Sequence, residues 1–150
     1  MAVNTDIDSI LNAVVDEDAM IVRPASQEDV ELCQKDMAKM EFPPIPLGYT
    51  GFLYKLNGFA WNGIEFFSTD QVTDTETGYM LNDIVSANET FAEQNEGFEH
   101  CVYLGRADDD LYVYNTQNGR YEVLDMTGRD VMEDYETFEK MFAGVVSPRI

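Results

Sequence analysis

The sequence predicts an α+β fold, with a twisted, mainly antiparallel sheet and helices packed on one face. Three observations lead there. Apolar residues fall at helical spacing in the first third of the chain. After Gly58 the pattern changes to short, extended runs. Those runs are joined by hairpin-type turns, Asn62-Gly63 and Gln117-Asn118-Gly119, which make neighbouring strands antiparallel. Helices set before, within and after such strands must bury their apolar stripes on the sheet.

Taken in order, Ile7, Ile10, Leu11, Val14 and Val15 share one helical face, with Asn4, Thr5 or Asp6 as caps, for a helix over about residues 5–17. The acidic run Asp16-Glu17-Asp18 suits a helix C-terminus badly and ends it. Ser26 caps a second helix; Glu28 and Asp29 suit its positive end, and Val30, Cys33, Met37 and Met40 form its stripe. Pro43, Pro44 and Pro46 cannot continue it, and the segment reads as a stiff connector between helices. Tyr49, Phe52, Leu53 and Leu56 make a short third helix closed by Asn57-Gly58.

Phe59–Trp61 and Ile64–Phe67 read as strands, and Gln71–Met80 as an extended segment or loop. Asn82 or Asp83 starts a fourth helix with Ile84, Val85, Asn88 and Phe91 on one side, ending at Gly97. His100–Arg106, Leu111–Asn115 and Arg120–Asp125 are three further strands, with Asp108-Asp109-Asp110 turning between the first two. Val131, Met132, Tyr135, Phe138, Met141 and Phe142 predict a last helix. At 150 residues the chain suits a single domain, residues 1–150. Folding at that size buries roughly 70% of the unfolded surface, enough for a core without disulfides or metals.

Charge narrows the function. Lys plus Arg number 9 against 29 Asp plus Glu, a formal net charge of -20. Such a surface repels nucleic-acid phosphates and anionic lipid, so neither is an expected partner; it attracts basic protein surfaces. Met1–Asp8 lacks the basic and apolar regions of a signal peptide, and no apolar run reaches the roughly 20 residues of a membrane span, so the cytoplasm is expected. Cys33 and Cys101, one in a helical and one in an extended pattern, read as reduced and buried.

Catalytic motifs are sparse. His100 is the one histidine, and a lone histidine is usually structural or exposed. There is no Gly-x-Ser-x-Gly elbow and no phosphate-binding glycine loop. Asp108-Asp109-Asp110 offers oxygen ligands for calcium, but an EF-hand loop starting there would have Tyr112 at its fifth position and Gly119 at its twelfth; a solvated turn is favoured. Neither cofactor nor metal is therefore expected. Trp61 is the only tryptophan, and in a strand-rich segment it reads as core more readily than as an exposed anchor.

Between Lys55 and Arg106 there is no Lys or Arg, while that stretch carries Glu65, Asp70, Asp74, Glu76, Asp83, Glu89, Glu93, Glu96 and Glu99. A one-signed field of this kind steers partners. Glu65, Asp70, Asp74, Glu76 and Glu89, with Asp108, Asp109 and Asp110, are accordingly the candidate partner-binding residues.

Pro44-Ile45-Pro46-Leu47-Gly48-Tyr49-Thr50-Gly51-Phe52-Leu53, followed by Leu56-Asn57-Gly58, resembles the opening motif of the SUKH superfamily, which includes the Smi/Knr-type cell-wall assembly regulators. Phe59–Phe67 with Trp61 and Gly63 resembles its next strand pair, and Leu104-Gly105, Asp108-Asp109 and Tyr135-Glu136-Thr137-Phe138-Glu139 resemble its end; the likeness spans roughly residues 25–142. The resemblance implies the same α+β sheet fold. It implies a non-enzymatic protein-binding role, either as an immunity protein that neutralises a toxin domain, often a nuclease, or as a regulatory scaffold. A carboxylate- or metal-dependent enzyme is the third alternative. The resemblance carries over no catalytic residue. An acidic inhibitor complements a nuclease that is basic where it grips phosphates.

Overall fold

The computed structural model describes residues 7–15, 17, 19–94 and 100–150. Helix α1 (Ile7–Val14) leads into a short strand β1 (Met20–Ile21), then α2 (Gln27–Lys39) and α3 (Leu47–Leu53). A hairpin of β2 (Phe59–Trp61) and β3 (Ile64–Phe66) follows, then a second, smaller one of β4 (Val72–Thr73) and β5 (Met80–Leu81), then α4 (Ile84–Gln94). The chain ends with β6 (Cys101–Arg106), β7 (Asp110–Asn115), β8 (Arg120–Asp125), β9 (Val131–Tyr135), α5 (Phe138–Val146) and a 3₁₀ turn, Ser147–Arg149.

Seven strands form one sheet in the order β1-β2-β3-β6-β7-β8-β9, and every pairing of neighbours in it is antiparallel. The predicted α+β class is therefore the observed one. Strands β4 and β5 pair apart from this sheet, and together with α4 they form an excursion between the neighbours β3 and β6. The β2–β3 turn has Asn62 at φ +50° and Gly63 at φ +82°, the left-handed pair that a tight two-residue hairpin requires.

Local chemistry sets the helix ends. Ser26 and Asp29 make a reciprocal capping box at the start of α2. Its C-terminus closes with the Phe42 N–H on the Met37 carbonyl and the Glu41 N–H on the Ala38 carbonyl, both at 3.0 Å, which places Glu41 at φ +62°. The Asp83 carboxylate accepts the Ser86 N–H at 2.9 Å and caps α4. The Thr137 hydroxyl accepts the Lys140 N–H at 3.2 Å and starts α5.

Several sequence expectations need correction. Helix α1 stops at Val14, so Val15 is 52% exposed; Met40, just past α2, is 43% exposed. Helix α3 ends at Leu53, and Gly58, with φ +106°, enters β2 instead of capping the helix. Strand β1 was not expected. The largest correction is at residues 131–135: Val131, Met132 and Tyr135 share a helical period with Phe138 and Met141, yet they lie in β9. Pairing of Tyr135 with Tyr121 and of Asp134 with Glu122 satisfies their backbone in a ladder, and the Thr137 cap delays the helix to Phe138. Asn4, Thr5, Asp6, Asp16, Asp18, Glu96, Gly97 and Glu99 lie outside the described residues.

One contiguous core joins the elements. Phe52, Phe66, Phe138 and Phe142 meet between the sheet, α3 and α5, with Phe52 and Phe138 centroids 4.9 Å apart and Phe66 stacked on Tyr112 at 5.1 Å.

The backbone of β6 changes partners partway along. Its pairs with β3 are Arg106 with Glu65 and Gly105 with Phe66, and the Phe67 N–H then bonds the Leu104 carbonyl at 2.9 Å. Beyond that point helix side chains take over. Asn88 of α4 donates to the Tyr103 carbonyl at 3.0 Å and accepts the Tyr103 N–H at 2.9 Å. Tyr49 of α3 donates to the Phe67 carbonyl, with the Leu104 carbonyl also in reach at 3.2 Å. Two other amides act alike. Gln34 brackets the backbone of Ile45, with both bonds at 2.9 Å, and pins the proline connector; Asn57 accepts the Thr69 N–H at 2.8 Å.

Two substitutions test this seam. Gly105→Ala places a methyl 2.2 Å from the Glu65 carbonyl oxygen, where backbone must move. A loss of at least about 2 kcal/mol is expected in urea unfolding. Asn88→Ala removes both bonds to the Tyr103 backbone, for an expected loss of about 2–3 kcal/mol by the same measurement.

Candidate functional site

In an antiparallel sheet alternate turns gather at one end, and here that end is acidic. The turn between β6 and β7 holds exposed Asp108 and Asp109 and half-buried Asp110. It is tied to the β8–β9 loop by the Met126 N–H on the Asp109 carbonyl at 2.8 Å. That loop adds Asp125 and Asp130, linked by the Asp125 N–H on the Asp130 carbonyl at 3.0 Å. The β2–β3 turn lies alongside. A methyl at Gly63 would stand 3.6 Å from Asp108 Oδ2 and 3.5 Å from Arg149 Nη1, and Arg149 donates to the Asn62 carbonyl at 2.7 Å.

On the other side of the same turn runs a cleft of about 420 Å³, lined by Met20, Trp61, Asn62, Gly63, Asp74 and Tyr79 among others. Asp74 opens the β4–β5 turn: its carbonyl accepts the Gly78 N–H and its N–H bonds the Tyr79 carbonyl, both at 2.8 Å, while its carboxylate accepts the Glu76 N–H at 2.9 Å. The structure thus brings Asp74 and Asp108 to the two sides of one turn, with Glu76 farther along the β4–β5 turn and Asp109 and Asp110 following Asp108 in the chain. Trp61, 9% exposed, belongs to the core and donates its indole N–H to the Glu17 carbonyl at 3.1 Å.

The remaining candidates lie elsewhere. Asp70 is exposed in the loop after β3, beside α2, where its charge is felt by the Cys33 thiol. Glu89 is exposed on α4. Glu65 is largely buried on β3, 3.8 Å from Arg106; burial raises its pKa, and Arg106 opposes that only in part. Glu65 therefore serves the sheet more than the surface. Sequence spacing missed Asp125 and Asp130, whose nearness to Asp108–Asp110 depends on the strand register. It missed Arg149 too, the cation that meets this acidic end from the opposite terminus.

Four ion pairs form among the described residues, and their acids are Asp8, Glu65, Asp134 and Glu136. Asp70, Asp74, Glu76, Glu89 and Asp108–Asp110 make none. Burial raises the pKa of Asp110, with Asp109, Asp125 and Glu133 adding to the rise and Arg149 opposing it. Among the described residues no three His, Cys, Asp or Glu side chains are grouped to hold a metal ion. Burial pushes both thiols, Cys33 and Cys101, up to about 12, so they stay protonated at neutral pH. No described helix is long and apolar enough to cross a membrane.

A carboxyl whose pKa is raised by folding contributes stability that is complete below its unfolded value and is lost as pH rises through the folded one. For Glu65 that loss begins above its ordinary 4.5. Glu65→Gln should thus be more stable than the parent at neutral pH by up to about 1 kcal/mol, the gap closing in acid. Thermal unfolding of both proteins across that range checks it. No protein-family model matches the chain, and no curated protein is significantly similar to it.

Proposed function

We propose that the chain acts by contact, without catalysing a reaction, as an immunity-type protein that binds and neutralises a basic toxin domain. The observation that carries this is the set of solvent-facing carboxylates without ion pairs around the Asn62-Gly63 turn: Asp74 and Glu76 on one side, Asp108 and Asp109 on the other. A predominantly acidic patch, here with Arg149 as the cation that meets it, speeds encounter with an oppositely charged protein and fixes its orientation. Nuclease toxins fit best, because the surface that grips phosphates is basic. The likeness of residues 25–142 to a superfamily containing immunity proteins supports the same reading.

Calorimetric titration with a toxin domain encoded beside this gene tests it. Binding should weaken at least about tenfold in an Asp74→Lys, Asp108→Lys, Asp109→Lys variant, and should fall with added salt. A housekeeping protein as the sole partner, or a toxin affinity unmoved by these reversals, overturns the proposal.

A further inference from the structure

The sheet has two edges, and they differ in kind. At one, β1 is two residues long, too short to template another strand. At the other, β9 runs five residues, and Val131 and Met132 are 53% and 63% exposed. Among the described residues, the backbone of Val131–Tyr135 makes no hydrogen bond outside its ladder with β8. In such an edge strand alternate N–H and C=O groups face outward, away from the pairing partner. The register jumps from Val123–Glu133 to Leu124–Val131, so Met132 is the extra residue of a β-bulge, set beside Val131 in an exposed apolar pair.

We infer that β9 is a docking edge, taking an extended basic segment of a partner protein as an additional strand of the sheet. This deepens the protein-binding reading and rests on it. The choice of occupant follows from charge. Asp130, Glu133, Asp134 and Glu136 stand along the edge. Two of the nearby bases are already engaged: Arg120 pairs with Asp134 at 2.9 Å and Lys140 with Glu136 at 3.1 Å. Asp130 and Glu133 form no ion pair among the described residues: Arg129 adjoins Asp130 in the chain and Arg149 lines the same cavity as Glu133, yet neither closes to ion-pair distance. A second copy of the chain fits poorly. Antiparallel pairing of two β9 strands about Glu133 would set Glu133 against its own equivalent, between bodies that each carry a net charge of -20. A strand alternating Lys or Arg with an apolar residue meets both demands, giving main-chain bonds to the edge and charge to its acids.

The test uses the full-length chain and two capped octapeptides, one alternating Lys with Val and one alternating Glu with Val, read by residue-resolved amide hydrogen exchange. The Lys-Val peptide should slow exchange at outward-facing amides of Val131–Tyr135 by at least about tenfold, and the Glu-Val peptide should not. Met132→Pro should abolish the protection. So should the surface pair Val131→Lys with Glu133→Lys, which keeps the backbone intact. Three results would sink the inference: no binding of the Lys-Val peptide, protection confined to the Asp74 and Asp108–Asp110 end, or protection of β9 that appears with rising protein concentration and no peptide, which would make a second copy the occupant. None of these bears on whether a toxin domain binds, because calorimetry with that domain reads that separately.

Discussion

The parting of β3 from β6 constrains everything around it. Two strands that pair for only a few residues and then diverge leave backbone groups inside the protein, and buried groups of that kind need partners. Here the partners are side chains: Asn88 serves Tyr103, and Tyr49 serves Phe67 and Leu104. A helix on each side of the opening is thereby fixed in position and rotation. Gly105 permits the close approach at the last shared pair. The excursion through β4, β5 and α4 begins at this opening, and it carries Asp74 to the cleft beside Trp61. The place of Asp74 beside the acidic end of the sheet is thus a consequence of how the seam is closed.

The surface works against the fold it covers. With 29 acids and 9 bases, self-repulsion favours expansion at low ionic strength. What offsets it is an aromatic interior in which Phe52, Phe66, Phe138 and Phe142 touch one another, together with amides that bond remote backbone. Exposed ion pairs such as Lys55 with Asp8 contribute little by comparison. Stability and recognition are divided between interior and exterior.

How much was legible in the sequence differs by element. Ser26, Asn62-Gly63 and the alternation in Leu111–Asn115 act through local chemistry, and each sits where its pattern implies. Glu41 gave no such signal: a left-handed residue at a helix end is usually glycine, and here the closing bonds from the Glu41 N–H to Ala38 and from the Phe42 N–H to Met37 accompany that conformation on a glutamate. Residues 131–135 misled because a helical period and a strand are told apart by what pairs alongside, and that partner, β8, is distant in the logic of a periodicity search. Of the candidate site, the acidic composition was readable, but the grouping was not. Asp74 and Asp108 come to the two sides of Asn62-Gly63 only after six strands have found their register.

Cys33 and Cys101 lie in α2 and β6, both buried and both held protonated. An alkylating reagent reaches neither while the interior is closed. The pair therefore makes an intrinsic gauge of breathing motions: the rate at which label enters counts the openings of helix and strand, and a difference between the two sites tells whether they open together.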